Sequence, residues 1–279
     1  MAKEKVFLYH ADCSDGFGAA YAAWKKFKNK AKYVAVRHGE KLPEGLAGKE
    51  VYTLDFCYVG ENLEYLLKNT DLTVIDHHIS TKSDVERAPH YSYALNNSGS
   101  VLAWKYFFSD KKVPKLLEYI EDNDLWRFQY KETDPVGERL NIEKMDFKIW
   151  NTFMRKLQNK KMAKSLIKEG GLLVKSRDSR VKILLEKSYE VEFEGLKCRA
   201  VNSPVFHSEL GHEMTKMGYP VGIVWKYNGS KIAVSLRSDG KTDVSFIAAK
   251  YGGGGHRAAS GFAVSEFNNL PWKTLNEQK

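Results

Sequence analysis

Short apolar strands alternate with amphipathic helices along residues 1–130, and this alternation limits the fold more than any other feature of the sequence. Apolar runs predict strands at residues 5–10, 33–37, 50–56 and 71–76. Apolar residues at helical spacing predict helices at residues 16–28, 60–69, 98–108 and 114–122. Strands that alternate with helices favour a parallel sheet with helices covering both faces. The sequence therefore predicts an α/β fold with a mainly parallel N-terminal sheet.

The second half of the chain predicts a smaller domain after a basic helical segment. Residues 147–187 have a helical pattern, which we expect to be interrupted at Gly170-Gly171, a candidate hinge. Strand patterns return at residues 189–193, 197–202, 221–227, 231–237 and 261–264, with helices at 208–217 and 243–251. Glu194-Gly195 and Asn228-Gly229 are typical of hairpin turns. We therefore predict a domain of residues 1–150, a basic helical linker of residues 151–187 and a mixed-sheet α/β domain of residues 188–279.

Composition and cysteine content narrow the class of protein. The chain is 43% hydrophobic and 28% charged, which excludes a disordered or collagen-like chain. Cys13, Cys57 and Cys198 are widely spaced and form no CxxC pattern, so we expect reduced thiols in a cytoplasmic protein. Neither a signal peptide nor an apolar run of about 18 residues is visible in the sequence, so we expect a soluble protein without a membrane partner.

The positive charge is concentrated in the predicted linker. Residues 151–187 contain eleven basic and three acidic residues, a net charge of +8 against +9 for the whole chain. Two interpretations are open: a solvated helix face, and a surface that attracts a polyanion such as nucleic acid. The charge points towards phosphate-containing partners without deciding between the two.

Acidic and imidazole side chains follow three of the predicted strands and end one predicted helix. They are His10, Asp12 and Asp15 after the first strand, Asp55 at the end of the third, Asp76, His77 and His78 at the end of the fourth, and Asp122 and Asp124 at the helix end. The carboxyl ends of parallel strands meet at one edge of the sheet, so we expect these groups to converge. Carboxylates and imidazoles without cysteine suit Mn²⁺ or Mg²⁺ better than structural zinc. A turn or helix cap is the alternative interpretation of each aspartate.

A bridging carboxylate is what two metal ions about 3.5–4 Å apart require. Asp55 lies alone between the two groups of ligands in the sequence and is the natural bridge. Water held between two metals loses a proton near neutral pH and attacks phosphorus in line, while the metals neutralise charge on the phosphoryl oxygens. The pattern thus predicts phosphoester hydrolysis without a covalent enzyme intermediate.

A glycine run in the C-terminal domain predicts an anion-binding segment. The run 252–255 precedes His256 and Arg257 and lies between a predicted helix and a predicted strand. Glycine lets backbone N–H groups approach an anion closely, and the two basic side chains add donors. A flexible turn is the alternative interpretation. Arg237, at a strand end, is either a second anion contact or an exposed, unpaired arginine.

Five motifs occur in the order found in the DHH phosphoesterase superfamily, which the chain resembles over nearly its full length. They are YHADCSDGFGAA at residues 9–20, LDF at 54–56, VIDHH at 74–78, YIEDNDLW at 119–126, and GGGH at 253–256 with Ala259 and Gly261 after it. The last motif indicates the subgroup with the DHH-associated C-terminal domain. The chain departs from the family pattern at one place: many members space the first-motif acids as Asp-x-Asp, whereas here the residues are Asp12-Cys13-Ser14-Asp15.

The resemblance implies two lobes around a cleft, and it implies roles for the motif residues. One metal would be held by His10, Asp12 and Asp55, and the other by Asp15, Asp55, His77 and Asp122, which we prefer to Asp124. His78 would contact the scissile phosphate, and Asp76 would orient His77. The C-terminal lobe would hold the nucleotide, where the candidate substrate-binding residues are Arg237, Gly253, Gly254, Gly255, His256 and Arg257.

The activity that the resemblance implies is Mn²⁺-dependent hydrolysis of short oligonucleotides or dinucleotides to mononucleotides, with two ions per site and Mg²⁺ or Co²⁺ as substitutes. A length of 279 residues argues against the multidomain exonucleases of single-stranded DNA, and the C-terminal lobe argues against a pyrophosphatase. Two alternatives stay open: a phosphomonoesterase for 3′,5′-bisphosphate nucleotides, and a catalytically idle nucleotide-binding regulator. A homodimer is one expected assembly.

Overall fold

The structure is a computed structural model that describes residues 3–37, 39–265 and 270–275. The chain divides into two units, Met1–Val174 and Lys175–Lys279, and the division falls inside a long helix. Within the described part of the chain, no helix is both long and apolar enough to cross a lipid bilayer.

A parallel sheet forms the centre of the first unit, which confirms the fold class predicted for it. Its described strands are β1 (Lys5–His10), β2 (Ala31–Val36), β3 (Glu50–Leu54), β4 (Asp71–Asp76) and β5 (His90–Tyr93). The strand order is β2-β1-β3-β4-β5, and each neighbouring pair is parallel. The helices are α1 (Ser14–Phe27), α2 (Gly60–Asn69), α3 (Lys82–Val85), α4 (Gly99–Phe107), α5 (Lys115–Asp124), α6 (Thr133–Asn141), α7 (Phe147–Gln158) and α8 (Lys160–Leu185).

Alternating side chains of these strands enter two separate cores. In β1, Phe7 packs in a core with residues of α1, α4 and α5, whereas Val6 and Leu8 pack in a core with residues of α2. Both faces of the sheet are therefore covered by helices. This explains why the strands read as continuous apolar runs rather than as alternating apolar and polar residues.

The strand order reverses between β1 and β3. From β1 the chain passes through α1 to β2 on one side, while β3 and then β4 lie on the other side. In open α/β sheets, the loops that leave the carboxyl ends of two such strands diverge and leave a crevice, which is where ligands bind. The fold thus places a ligand site after β1 and β3.

A mixed sheet forms the second unit, as the sequence predicted. Its described strands run in the order β10-β11-β9-β8-β7-β6-β12, and only the β7–β8 pair is parallel among them. The strands are β6 (Tyr189–Phe193), β7 (Leu196–Asn202), β8 (Val221–Tyr227), β9 (Ile232–Ser238), β10 (Gly254–His256), β11 (Ala259–Val264) and β12 (Lys273–Thr274). The helices are α9 (His207–Lys216) and α10 (Val244–Lys250).

The predicted interruption at Gly170-Gly171 is wrong, because α8 continues through both glycines. The helical segment is divided at Asn159 instead, whose side-chain oxygen accepts hydrogen bonds from the N–H groups of Lys161 and Met162 and caps α8. Gly170 has a packing role: a Cβ there would overlap the carbonyl oxygen of Pro135 in α6. This glycine permits close helix packing and does not mark a hinge.

Candidate active site

Three strands of the first unit end at the reversal in strand order. His10 is the last residue of β1, Asp55 directly follows β3, and His77 directly follows β4. Asp55 has a φ of 63°, a left-handed conformation that is rare for non-glycine residues, and its N–H donates to the carbonyl oxygen of Ile75 at 2.8 Å. The turn holds the buried Asp55 carboxylate between the histidines, 3.4 Å from Nδ1 of His10 and 3.1 Å from Nε2 of His77.

His77 lies at the centre of a cluster of carboxylates. Its Nε2 atom is 3.1 Å from Oδ1 of Asp55, 3.6 Å from Oδ2 of Asp124 and 3.7 Å from Oδ2 of Asp15. His77, Asp15 and Asp55 are each exposed by 2% or less. Their ligand atoms all lie within 4.8 Å of one another, a spacing that one metal ion can span. The structure thus brings together residues that follow three different strands and one helix.

Asp15 is held by the first turn of α4. Its two carboxylate oxygens accept hydrogen bonds from the backbone N–H groups of Gly99 at 2.6 Å and Ser100 at 3.0 Å. N–H groups in the first turn of a helix have no partner within the helix, and the helix dipole favours a negative charge there. Asp15 therefore caps a helix 84 residues away in the sequence while its Oδ2 faces His77.

Negative charge is crowded within the cluster. Burial raises the pKa of Asp15 well above its ordinary value, and the carboxylates of Asp55 and Asp124 raise it further. Burial would also raise the pKa of Asp55, but hydrogen bonding to His10 and His77 lowers it below its ordinary value. Burial would lower the pKa of His77, but the contact with Asp55 and the other two carboxylates raise it to about 10. A divalent cation fits this donor set, because it would neutralise the crowded oxygens.

Asp76 orients His78 and not the side chain of His77, which corrects the role implied by the family resemblance. Oδ1 of Asp76 lies 2.7 Å from Nδ1 of His78 and accepts a hydrogen bond from the backbone N–H of His77 at 2.7 Å. The other oxygen, Oδ2, accepts a hydrogen bond from the hydroxyl of Thr81 at 2.7 Å. Asp76 is fully buried, so these contacts fix the His78 ring at the edge of the cluster.

The glycine run of the second unit is only partly a turn. Gly254 to His256 form β10, an edge strand that pairs with β11, so the flexible-turn interpretation is wrong for these residues. A Cβ at Gly253 would overlap the carbonyl oxygen of Gly261, so packing against β11 already requires glycine there. An edge strand leaves backbone groups on its outer side outside the ladder. The anion-binding role of the run stays a prediction.

Arg237 and His256 lie in register across three strands. Arg237 in β9 pairs with Ala259 in β11, and Ala259 pairs with His256 in β10. Residues directly opposite in a sheet project to the same face, and two strand spacings separate the ends of this row by about 10 Å. Arg237 is not unpaired: its guanidinium donates to the hydroxyl of Ser208 at 2.8 Å and to the carbonyl of Leu236 at 2.9 Å. The neighbouring Arg257 donates to the carbonyl of Gly240 at 2.7 Å.

Comparison with known proteins identifies the family. Residues 208–275 match the model of the DHHA1 domain. An uncharacterized protein, R106 of Acanthamoeba polyphaga mimivirus, is 32% identical over 300 aligned residues, which cover 98% of this chain and 70% of that protein. The chain belongs to the DHH phosphoesterase superfamily. Its DHH motif is Asp76-His77-His78, and its relatives in the superfamily are phosphoesterases.

Solved structures share the DHH fold at low sequence identity. The DHH domain of a protein described as a member of a ribosomal protein family has a TM-score of 0.62 at 14% identity and covers 96% of this chain and 84% of that one. A pGpG-specific phosphodiesterase, PggH from Vibrio cholerae, has a TM-score of 0.53 at 14% identity and covers 96% of this chain and 95% of that one. At this level of identity the likeness concerns the fold alone.

The fourth motif of this DHH phosphoesterase places Asp124, and not Asp122, beside His77. The Asp122 carboxylate accepts hydrogen bonds from the N–H groups of Gln129 at 2.9 Å and Tyr130 at 3.2 Å and from the hydroxyl of Thr133. Asp122 is buried, and it organises the loop that follows α5. The structure therefore reverses the preference for Asp122 over Asp124, because the cap uses both oxygens of Asp122.

The first motif brings Cys13, and not Asp12, to the cluster. Asp12 has a side chain that is 68% exposed, and its Oδ2 lies 2.7 Å from Nε of Arg37. The ligand atoms of His10, Cys13 and Asp55 instead lie within 4.8 Å of one another. The sequence pattern assigned Cys13 no role, but it contained a signal: Cys13-Ser14-Asp15 keeps the spacing of the family's Asp-x-Asp, with cysteine in place of the first acid.

Proposed function

We propose that the chain is a metal-dependent phosphodiesterase that hydrolyses short oligonucleotides or dinucleotides to mononucleotides. The observation that carries the proposal is the group of three carboxylates, Asp15, Asp55 and Asp124, within 3.7 Å of one buried histidine nitrogen at the reversal in strand order. A pure binding protein would have no need of a buried acidic cluster that disfavours its own charges. Mn²⁺ is the proposed cofactor, with Mg²⁺ or Co²⁺ as substitutes.

Each residue of the cluster has a proposed role. Asp15, His77 and Asp124 would hold one ion, His10 would hold the other, and Asp55 would contact both, because it belongs to both groups of ligand atoms. The ions would supply an activated water and neutralise charge on the phosphate.

His78 would contact the phosphate directly. Asp76 lies against Nδ1 of the His78 ring, so Nε2 is the atom that would exchange a hydrogen bond with a phosphate oxygen. Asp76 would thus act as a positioning residue for His78. This differs from the role that the resemblance implied, in which Asp76 orients the side chain of His77.

An aromatic loop favours a substrate that carries a base. Trp126 and Phe128, which follow Asp124 by two and four residues, are 37% and 38% exposed, and their rings lie 4.9 Å apart. Both have a positive φ, which costs free energy in bulky residues, and the N–H groups of Arg127 and Phe128 donate to the carbonyl oxygen of Asp122. Exposed aromatic rings held near a phosphate site suit stacking on nucleobases.

The second unit adds support for a nucleotide. The DHHA1 match covers Arg237, His256 and Arg257, and the row from Arg237 to His256 lies on one face of the sheet. The phosphodiesterase PggH, whose fold is similar, is specific for pGpG. We therefore propose the linear dinucleotide as the first substrate to test.

A panel of substrates with Mn²⁺, resolved by chromatography, tests the proposal. It compares pApA, pGpG, cyclic di-AMP, RNA and DNA of two to 24 nucleotides, 3′-phosphoadenosine 5′-phosphate and pyrophosphate. We expect mononucleotides from the shortest linear substrates, loss of turnover in excess chelator, and loss of turnover in Asp55→Asn. The exposed Asp110→Asn is the matched control and should stay at the wild-type rate. Preferential hydrolysis of pyrophosphate or of the bisphosphate nucleotide, or turnover that survives the chelator, would show that the proposal is wrong.

A further inference from the structure

Cys13 lies at the metal cluster without doing the work expected at its position in the fold. It is the residue before α1, in an extended conformation with a φ of −127° and a ψ of 134°. Residues at this position commonly cap the helix with a side-chain oxygen, yet the Cys13 side chain makes no capping hydrogen bond to α1. Its sulfur instead lies with ligand atoms of His10 and Asp55 in one group, all within 4.8 Å.

We propose that the Cys13 sulfur is a ligand of the ion that His10 and Asp55 hold. The inference rests on the proposed metal-dependent function and goes beyond it, because it replaces an all-oxygen-and-nitrogen site with one that contains sulfur. Asp12, the acid that the sequence offered for this ion, is turned towards Arg37 and mostly exposed. Cysteine therefore takes the place in the donor set that an acid would otherwise occupy.

The donor chemistry makes the two ion sites unequal. A thiolate, an imidazole and a carboxylate together favour Zn²⁺, Co²⁺ or Fe²⁺ over Mn²⁺, because sulfur is the softer ligand. The other group, with Asp15, Asp55, Asp124 and His77, contains no sulfur and keeps the preference for Mn²⁺ or Mg²⁺. On binding, the S–H bond of Cys13 breaks, the proton goes to solvent, and the sulfur lone pair forms the bond to the metal.

Cobalt titration tests the inference with a readout that does not depend on turnover. Metal-free protein, prepared with a chelator and dialysed under argon, is titrated with Co²⁺ while absorption is recorded. We expect a near-ultraviolet thiolate-to-cobalt charge-transfer band in the wild-type protein. The band should be lost in Cys13→Ser and in Cys13→Asp, and it should survive in Cys198→Ala, whose thiol is buried in the core of the second unit.

The two Cys13 variants keep the test independent of folding and separate the outcomes. Cys13→Asp restores the acid of the family pattern, so it should keep two ions per chain and prefer Mn²⁺ to Zn²⁺ in competition, with a wild-type thermal transition. Cobalt that binds with visible d–d absorption but without the charge-transfer band, or a band lost in Cys198→Ala, would overturn the role of Cys13 and leave the proposed function standing. If no cobalt binds at all, both proposals fail together.

Discussion

Two aspartates of α5 allow the same substitution to be tested in two different environments. Asp122 and Asp124 are two residues apart, and only Asp124 faces His77, at 3.6 Å. We predict that Asp122→Asn lowers the free energy of unfolding and keeps the metal ions. We predict that Asp124→Asn keeps the free energy of unfolding and loses metal affinity and turnover.

The cost of Asp122→Asn follows from its three donors. The carboxylate is 2% exposed and accepts hydrogen bonds from the N–H groups of Gln129 and Tyr130 and from the hydroxyl of Thr133. Asparagine keeps one acceptor oxygen and turns an amide group towards a donor, so one or two of these bonds are lost. Hydrogen bonds to charged groups contribute about 1.5–3 kcal/mol each, so we expect a loss of about 2–5 kcal/mol. At about 2–4 °C per kcal/mol for a unit of this size, the Tm falls by roughly 4–20 °C.

Asp124→Asn should have the opposite profile. Partial burial, together with the charge of Asp55, raises the pKa of Asp124 to about 6, so the charged form of Asp124 is disfavoured in the metal-free protein. Removing this charge relieves repulsion, and the Tm of the metal-free protein should stay level or rise. Loss of a direct ligand should weaken metal binding by more than the about 10–100-fold that follows from changing a residue behind a ligand.

Circular dichroism melting of the metal-free variants and metal analysis after equilibrium dialysis measure the two effects separately. The reasoning is refuted if Asp122→Asn melts like the wild type and loses metal while Asp124→Asn retains metal. That result would restore Asp122 as the fourth-motif ligand, as the sequence first suggested.

Two further predictions concern the helix between the units and the second unit. Gly170→Ala should lower the Tm because the new methyl group overlaps the carbonyl of Pro135, whereas Gly171→Ala, with open space around it, should raise stability by up to about 1 kcal/mol through helix propensity; equal shifts in thermal melting would contradict this. His256→Ala should raise KM for dinucleotides while leaving metal content and the slow hydrolysis of bis-p-nitrophenyl phosphate largely unchanged; loss of metal in this variant would contradict a role in nucleotide binding.

The alternation of strands and helices was enough to predict the N-terminal sheet, but not every element around it. The edge strand β5 has the sequence HYSY, with two exposed residues, and it forms because it pairs with β4. Helix α6 begins Thr133-Asp134-Pro135, which is typical of a turn, and it is held by burial of Val136 and Leu140. Both elements depend on partners distant in the sequence, which local patterns cannot show.

The site was predicted at the level of strand ends and not at the level of single residues. His10, Asp15, Asp55 and His77 follow from the rule that the carboxyl ends of parallel strands meet. Which aspartate of a close pair joins the cluster depends on contacts made elsewhere: Asp122 is taken by the loop at residues 129–133. Such contacts are set by tertiary packing, so the sequence alone favoured the wrong member of the pair.

Asp55 shows how the fold and the chemistry depend on each other. Its left-handed backbone, which costs about 1–2 kcal/mol in a non-glycine residue, turns the chain sharply after β3 and places the carboxylate between His10 and His77. Asparagine adopts this conformation more readily than most residues, so Asp55→Asn removes the charge and keeps the turn. Alanine would change both at once. Loss of metal in Asp55→Asn with an unchanged Tm would therefore report on the carboxylate alone, whereas the same loss in an alanine variant would not separate the ligand from the turn that presents it.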